Sequence, residues 1–305
     1  MKIYFLLVLC VLFWSANFVI GRFVAGSIMP FELAFFRWFG VFIVTLPFLF
    51  LHRKKIFLAI RMHFGILLIL ATLGIAGFNT FLYIGLQDTT ATNALLINSS
   101  IPILILFLSA IILKKKITQR QTFGILLSTF GVIFLVLKGD IHTLLTLNFN
   151  QGDFWVIVSS VCWATYSVLI KFKPSSLSSF EFFIAIVALG TLILLPFYLY
   201  QGYSLSREIS ILAHYYWAIA YVVIFTSILS YYLWHLGITH IGADRTGQFT
   251  HLMPVFGSFL AYLFLGEVLE FYHLIGVILI GWGIYLSLFA KRVKSFGEGL
   301  PIKKP

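Results

Sequence analysis

Residues 14–47 read WSANFVIGRFVAGSIMPFELAFFRWFGVFIVTLP, and the pattern of this stretch returns in the second half of the chain. Four of its residues recur 149 positions later: Trp14, Arg22, Glu32 and Pro47 return as Trp163, Lys171, Glu181 and Pro196. A further set recurs at 152 positions: Gly85, Ala91, Pro102, Gly124 and Gly131 return as Gly237, Ala243, Pro254, Gly276 and Gly283. Because the two offsets differ by only three residues, the pattern indicates one duplicated unit with a short insertion.

The composition of the chain is that of a membrane protein. Of its 305 residues, 61% are hydrophobic and 10% are charged, whereas soluble domains carry about 25% charged residues. The net charge of +11 comes from short basic clusters between apolar runs, which is typical of cytoplasmic loops. We therefore predict a lipid bilayer as a partner and no nucleic acid.

Ten apolar segments are long enough to cross a hydrocarbon core of about 30 Å as helices. They are predicted near residues 3–22, 31–51, 64–86, 91–113, 120–137, 153–171, 180–200, 214–236, 243–265 and 271–290. The predicted fold class is an all-α integral membrane protein with ten transmembrane helices.

The basic clusters also predict the orientation. Those at 53–61, 114–120 and 291–304 fall on the same side of the bilayer, and such clusters mark the cytoplasm. Both termini are therefore predicted to be cytoplasmic. Because each copy has five segments, the second copy begins on the opposite side, so the two five-helix repeats are predicted to be inverted. The predicted divisions are a first repeat at 1–140, an outer-side linker at 141–152, a second repeat at 153–290 and a basic cytoplasmic tail at 291–305.

Polar and aromatic residues recur at helical spacing inside these segments. Asn79 and Tyr83 share one helix face, and Tyr231 and His235 share a face at the matched positions. Because a lipid-facing surface has no use for such groups, we expect them to line an aqueous cavity between the repeats. The predicted substrate-binding set is Trp14, Asn17, Arg37, Asn79, Tyr83, Asn98, Trp163, Tyr166, Tyr231, His235, Gln248 and His251. For any one polar residue, a hydrogen bond between helices is an equally good interpretation.

Three residues that lie well away from the ends of the segments can carry charge. Arg37 lies about two turns into the second segment, where a charge costs about 2.5–3.5 kcal/mol. It is either an anchor for an anion or carboxylate, or a structural tie to Glu32 or helix-end carbonyls, or it extends outward to the interface. Its counterpart in the second copy is Ile186. His235 and His251 are the side chains here that could exchange a proton near neutral pH, and a permanently neutral, hydrogen-bonded histidine is the alternative.

Pro102 and Pro254 occupy equivalent positions near the middle of the fourth and ninth segments. A proline removes one backbone hydrogen bond and frees the carbonyl four residues earlier, here at Asn98 and Thr250. The sequence therefore predicts paired kinks, which serve either gating or static packing.

Several motifs resemble those of a known family. They are FWSANF at 13–18, PFELAFFR at 30–37, the stretch 91–102, and LGE at 265–267 followed by GWG at 281–283. Together with ten helices in two repeats, they are similar to the drug/metabolite transporter (DMT) superfamily, EamA-type permeases.

The resemblance implies a secondary active or exchange transporter of the bacterial inner membrane. Such a protein moves a small organic metabolite, here an amino acid or related solute with export preferred, by alternating access. In one respect the chain departs from the pattern, because Glu267 has no acidic counterpart in the first repeat, where Lys115 stands. We expect a small-molecule substrate, no metal or other cofactor and no enzyme activity, and the oligomeric state is left open.

Two other functions remain open from the sequence. A flippase for a lipid-linked group would need a cavity that opens sideways to lipid and is lined by Phe and basic residues. A membrane-embedded enzyme would need two titratable groups in contact. The sequence contains no HExxH, GxxxxGK[ST] or paired Cys/His pattern that would favour the enzyme.

Overall fold

The computed structural model describes residues 2–24, 26–140, 142, 149–265, 268 and 270–289. The α-helices are α1 (Lys2–Val24), α2 (Pro30–Leu51), α3 (Arg53–Met62), α4 (Phe64–Ala71), α5 (Phe78–Asp88), α6 (Ala91–Asn98), α7 (Ile101–Ile112), α8 (Gln119–Val136), α9 (Gln151–Leu169), α10 (Ser179–Tyr200), α11 (Leu205–Tyr221), α12 (Ser230–Ile241), α13 (Ala243–Gly247), α14 (Met253–Leu265) and α15 (Phe271–Leu288). The predicted all-α class is confirmed. The tail at 291–305, much of the linker at 141–152, and Glu267 lie outside the described residues.

Eight helical stretches in the described part of the chain are long and apolar enough to cross a membrane. They are Pro30–Leu51, Phe64–Asp88, Asn93–Ile112, Gln119–Val136, Gln151–Phe172, Ser179–Tyr200, Leu205–Ile241 and Phe271–Leu288. The other two predicted segments correspond to α1, which is a continuous helix, and to 243–265, where three short helices follow one another.

Helix α3 was not among the predicted elements. It buries Ile56 and Ala59 and exposes its basic side chains, which is the pattern of a helix lying along a membrane surface. The eighth segment begins at Leu205 rather than at 214, because α11 starts with a helical portion that corresponds to α3. The backbone leaves helical geometry at His63 after α3 and at Tyr215 inside α11, and these two residues are 152 positions apart. The unexpected helix is therefore present in both halves.

The long helices are interrupted at matched positions. π-Helices occupy Thr72–Gly77 and Val222–Leu229, and such insertions are frequent at functional sites. The α-helix also breaks before each matched proline, at 99–100 before Pro102 and in the 3₁₀ helix Gln248–Leu252 before Pro254. The prolines thus begin new helices instead of bending continuous ones, since a proline is tolerated in the first turn, where its missing N–H is not needed.

Helices α8 and α15 pack backbone to backbone. A Cβ atom added to Gly124 would lie 2.6 Å from the carbonyl oxygen of Gly283, which leaves no room for a side chain. Small residues allow this close approach in membranes, where van der Waals contact and hydrogen bonding drive helix association.

Candidate functional site

A small cavity of about 20 Å³ lies between the two halves of the chain. Its lining comprises Trp14, Asn17, Arg37, Phe78, Asn79, Leu82, Asn98, Ile101, Trp163, Thr250 and Met253. Six of the twelve predicted site residues are in this set. A cavity of this size has room for about one water molecule, so the conformation described here is closed to a metabolite.

Arg37 lies in this lining with only 1% of its surface exposed. Its Nε donates to Ser227 Oγ (2.7 Å), Nη1 donates to the Tyr83 hydroxyl (3.0 Å) and Nη2 donates to the Thr226 carbonyl (3.2 Å). The suggested tie to Glu32 is wrong, because the Glu32 carboxylate binds a different arginine. Neutral groups, including a backbone carbonyl, hold the guanidinium in place.

The carbonyl of Thr226 belongs to the second π-helix and also accepts a hydrogen bond from Trp14 Nε1 (2.9 Å). A π-turn shifts the backbone hydrogen-bond register by one residue, which makes carbonyls available to side chains. The helix interruption therefore positions two of the cavity-lining side chains.

Residues at equivalent positions in the two halves touch each other. Three such pairs are Trp14–Trp163, Asn79–Tyr231 and Ser99–His251. The indole rings of the first pair lie 5.2 Å apart at 86°, the Asn79 amide donates to the Tyr231 hydroxyl at 3.0 Å, and His251 Nε2 donates to the Ser99 carbonyl at 3.0 Å. Contact between equivalent residues occurs where a two-fold relation brings a surface against its own copy.

The other predicted residues lie outside this cavity lining. Several of them bond to residues that line it, such as Arg37 and Asn79, or to one another. Tyr231 also donates to the Gly74 carbonyl (2.8 Å). The Tyr166 hydroxyl lies 2.5 Å from His235 Nε2, and among the described residues His235 Nδ1 has no partner. Gln248 is fully buried, and its Nε2 donates a long hydrogen bond of 3.5 Å to the Asp244 carbonyl.

His251 is held at both ring nitrogens. Because the Ser99 carbonyl can only accept, Nε2 must carry a proton, while Nδ1 lies 2.7 Å from the Ser128 hydroxyl. This geometry matches the hydrogen-bonded interpretation of the residue.

Replacing His251 with Leu is expected to lower stability by about 1–3 kcal/mol, because the Ser99 carbonyl would stay buried without its side-chain partner. The matched control is His240→Leu, since His240 is exposed and bonds only to a carbonyl of its own helix among the described contacts. Thermal unfolding in detergent measures both. Equal melting temperatures for His251→Leu and His240→Leu would show that His251 does not stabilise the fold.

Of the described ion pairs that join the halves of the chain, two are related by the repeat. Lys55 Nζ lies 2.6 Å from Glu181 Oε2, and Arg207 Nε lies 3.1 Å from Glu32 Oε1. Glu32 and Glu181 are 149 positions apart, and Lys55 and Arg207 are 152 apart. Each carboxylate is buried and each basic partner is partly exposed. We call them the Lys55 clamp and the Arg207 clamp.

The two clamps lie at opposite ends of the bundle. Glu32 is in the first turn of α2, and Lys55 follows its last turn. The 22 residues of α2 span about 33 Å at 1.5 Å per residue. The cavity therefore lies between two closures, one at each end.

Each end carries a further tie between the halves. On the Lys55 side, Asp244 accepts from Lys115 Nζ (2.5 Å) and from Gln121 Nε2 (2.6 Å). At the other end, the carboxylate of Asp153 binds the Thr89 hydroxyl and the amide of Asn93. The two ends are thus closed by separate polar networks.

Comparison with known proteins identifies the family. The sequence pattern of the EamA-like transporter family matches residues 1–137 and 150–289. This chain belongs to the EamA-like transporter family. Bacillus subtilis has a relative named uncharacterized transporter YyaM, which is 29% identical over 97% of this chain and 96% of its own length. An uncharacterized transporter of Archaeoglobus fulgidus is also 29% identical, over 94% of this chain and 97% of its own length.

This EamA-like chain also matches a further named transporter and a solved structure. An S-adenosylmethionine uptake transporter of Rickettsia felis is 30% identical over 57% of this chain and 56% of its own length. A solved structure titled "Crystal structure of protein" superposes with a TM-score of 0.73 at 17% identity, covering 94% of this chain and 97% of that one. The latter shows a shared fold. With its eight candidate spans, this EamA-like chain is a multi-pass protein of the cell membrane.

Sequence reasoning missed the clamps of this EamA-like protein, although a signal for them was present. Glu32 and Glu181 were identified as repeat partners, but the 152-residue spacing of Lys55 and Arg207 was not used. It also missed the apolar part of the cavity lining, such as Phe78, because a phenylalanine carries no polar signal among so many.

A separate apolar fissure of about 730 Å³ opens beside α14 and α15. Its lining includes Phe256, Phe259, Phe271, Glu270 and His273, and among the described lining residues there is no Lys or Arg. Its lining therefore has the Phe residues expected of a flippase cavity and lacks the expected basic residues in its described part.

Proposed function

We propose that this protein is a secondary active or exchange transporter that moves a small organic metabolite across the cytoplasmic membrane by alternating access, with export preferred. The observation that carries the proposal is the pair of equivalent clamps closing opposite ends of a cavity lined from both halves. Breaking one clamp at a time would open the cavity to one side at a time.

We further propose that the ten segments form two inverted five-helix repeats. In parallel repeats, Lys55 and Arg207 would lie at the same end of the bundle, whereas these residues lie at opposite ends. An axis running across the helices exchanges the two ends, and this is the relation of inverted transporter repeats. The contacts between equivalent residues support the same axis.

The orientation in this proposal follows the basic residues. The Lys55 end also carries Arg53, Lys54, Arg61 and Lys115, so it is assigned to the cytoplasm. The Lys55 clamp would then be the inner closure and the Arg207 clamp the outer one. In each clamp the basic partner is already partly exposed, so opening an end requires the buried carboxylate to become hydrated as its ion pair breaks.

The alternatives are a flippase and, further behind, a membrane-embedded enzyme. The apolar fissure beside α14 and α15 is the observation that favours a flippase. A transporter is better supported, because six of the predicted site residues, drawn from both halves, line the central cavity and none of the twelve lines the fissure. The relatives described above are also named as transporters. The solute class, an amino acid or related compound, is supported by the Rickettsia felis relative, which is named for S-adenosylmethionine, an amino-acid derivative. The same name specifies uptake and not export, so the direction of transport is measured separately.

Reconstitution into liposomes tests the proposal. The purified protein is given a panel of radiolabelled amino acids, organic acids, amines and sugars, and both uptake and efflux are followed. We expect at least one solute to cross faster than in protein-free liposomes. If a folded preparation moves none of them but scrambles a fluorescent lipid, the flippase alternative replaces the transporter.

A further inference from the structure

The charge of Arg37 has no carboxylate to neutralise it within the described protein. The carboxylates of Glu32, Glu181 and Asp244 each pair with another basic residue. Among the described residues, the three hydrogen-bond partners of Arg37 are neutral groups. A buried charge is stable when it is paired as well as hydrogen-bonded. The site therefore favours a ligand that brings a negative charge.

The guanidinium has hydrogen-bonding capacity left for such a ligand. Of its five N–H groups, three are used by Ser227, Tyr83 and Thr226. One N–H remains on each terminal nitrogen. Each of these can donate to an oxygen of a ligand, and a guanidinium commonly binds a carboxylate through two of its N–H groups.

Charge balance favours a carboxylate over a phosphate. The other residues that line the cavity are amides, a hydroxyl and apolar or aromatic side chains, without a second Lys or Arg among the described lining. One positive charge neutralises one carboxylate, whereas a phosphate monoester carries about −1.5 to −2 at neutral pH. The excess negative charge would be buried at a high cost.

Asn17 supplies a second, independent requirement. It lines the same cavity and is only 6% exposed, and its Oδ1 has no hydrogen-bond partner among the described residues. Buried acceptors of this kind are nearly always satisfied. An amide oxygen accepts from an N–H or O–H group, so it fits a ligand that also carries a donor such as an ammonium group.

From these observations, and resting on the proposed transport function, we propose that Arg37 binds the carboxylate of the transported solute and Asn17 accepts from its ammonium group. The solute class is then a zwitterionic amino acid or a compound with that head group. The charge of its ammonium group would be met by the Asn17 oxygen and by the aromatic rings of Trp14, Phe78 and Trp163 that line the same cavity. The second half supplies no copy of this site, because the equivalents of Arg37 and Asn17 are Ile186 and Tyr166. Since the closed cavity holds about one water, the solute binds after one clamp has opened.

Binding of matched compounds to the wild-type protein in lipid nanodiscs tests this without any mutation. The probes are L-phenylalanine, L-phenylalaninamide, phenylpyruvate, phenethylamine and phenyl phosphate, together with L-leucine, L-leucinamide, 4-methyl-2-oxopentanoate and isoamylamine. We expect the amino acid to bind at least about tenfold more tightly than its amide, because a hydrogen bond to a charged group contributes about 1.5–3 kcal/mol. The oxo acid should bind more weakly than the amino acid, and the amine most weakly.

Variants locate the effect. In Arg37→Gln the preference for acid over amide should disappear, whereas Arg37→Lys should retain part of it. Asn17→Leu should weaken the binding of the amino acid and leave the binding of the oxo acid unchanged. This substitution also leaves the hydrogen bonds of Arg37 intact, since Asn17 is not one of its partners. Size-exclusion profiles and melting temperatures show whether each variant is folded.

Several results would overturn the inference. A carboxylate site at Arg37 is excluded if an amide binds as tightly as its acid, or if phenyl phosphate binds more tightly than the amino acid. It is also excluded if none of these compounds binds. If liposomes transport a neutral solute equally with wild-type protein and Arg37→Gln, the inference fails while the proposed function stands. If no solute crosses in the full panel, the proposed function itself fails.

Discussion

Cross-linking either clamp is expected to stop transport, and cleaving the cross-link is expected to restore it. The cysteine pairs are Lys55→Cys with Glu181→Cys, and Glu32→Cys with Arg207→Cys, each in a Cys10→Ser, Cys162→Ser background. A reducible bis-methanethiosulfonate reagent joins each pair. In alternating access, both ends must open once in every cycle, so a fixed end blocks the cycle even though the cavity is untouched. Solute flux in liposomes is expected to fall by at least about tenfold and to recover with a reductant.

Single-cysteine variants treated with the same reagent are the matched controls, since they carry the same modification without the bridge. Lys54→Cys with Glu181→Cys is a further control, because Lys54 is an exposed neighbour on the same helix. Full flux through protein that is completely cross-linked at Lys55 and Glu181 would show that this end does not open. If only one of the two pairs blocks flux, the two ends are not equivalent gates.

Adding one methyl group at Gly283 is expected to destabilise the protein strongly. A Cβ atom there would meet the backbone nitrogen of Ser128 and the carbonyl oxygen of Gly124, and it would lie 2.6 Å from Ser128 Cβ. These are backbone atoms of the facing helix or atoms fixed to it, so α8 and α15 would have to move apart. Overpacking of a close interface typically costs about 1–3 kcal/mol or more. The melting temperature of Gly283→Ala in detergent should therefore fall clearly.

Gly281→Ala provides the control within the same helix. A Cβ atom at Gly281 meets no atom within 4 Å, and the position is exposed. Because alanine is the better helix former, this variant should be neutral or slightly more stable. Gly124→Ala should behave like Gly283→Ala, since its Cβ would meet the same interface from the other side. Equal melting temperatures for Gly283→Ala and Gly281→Ala would contradict the packing described here.

Periodicity was informative about helix faces and uninformative about partners. Asn17, Asn79 and Asn98 were assigned to a cavity from their positions on apolar helices, and they do line it. Tyr231 was assigned by the same reasoning, yet its hydroxyl bonds to Asn79 and to the Gly74 carbonyl within the first π-helix. A polar residue on an inward face can meet either a cavity or another helix, and its own helix cannot distinguish these outcomes.

The sequence by itself determined that this is a helical membrane protein, where most helices lie, and that a pattern of residues repeats between its halves. Those properties depend on local hydropathy and on residue spacing along the chain. Only the tertiary structure decided that Glu32 meets Arg207 and not Arg37, that the clamps close opposite ends, and that the guanidinium of Arg37 has neutral partners. Such pairs join residues far apart in the chain, so they depend on how whole helices pack, which no local pattern encodes.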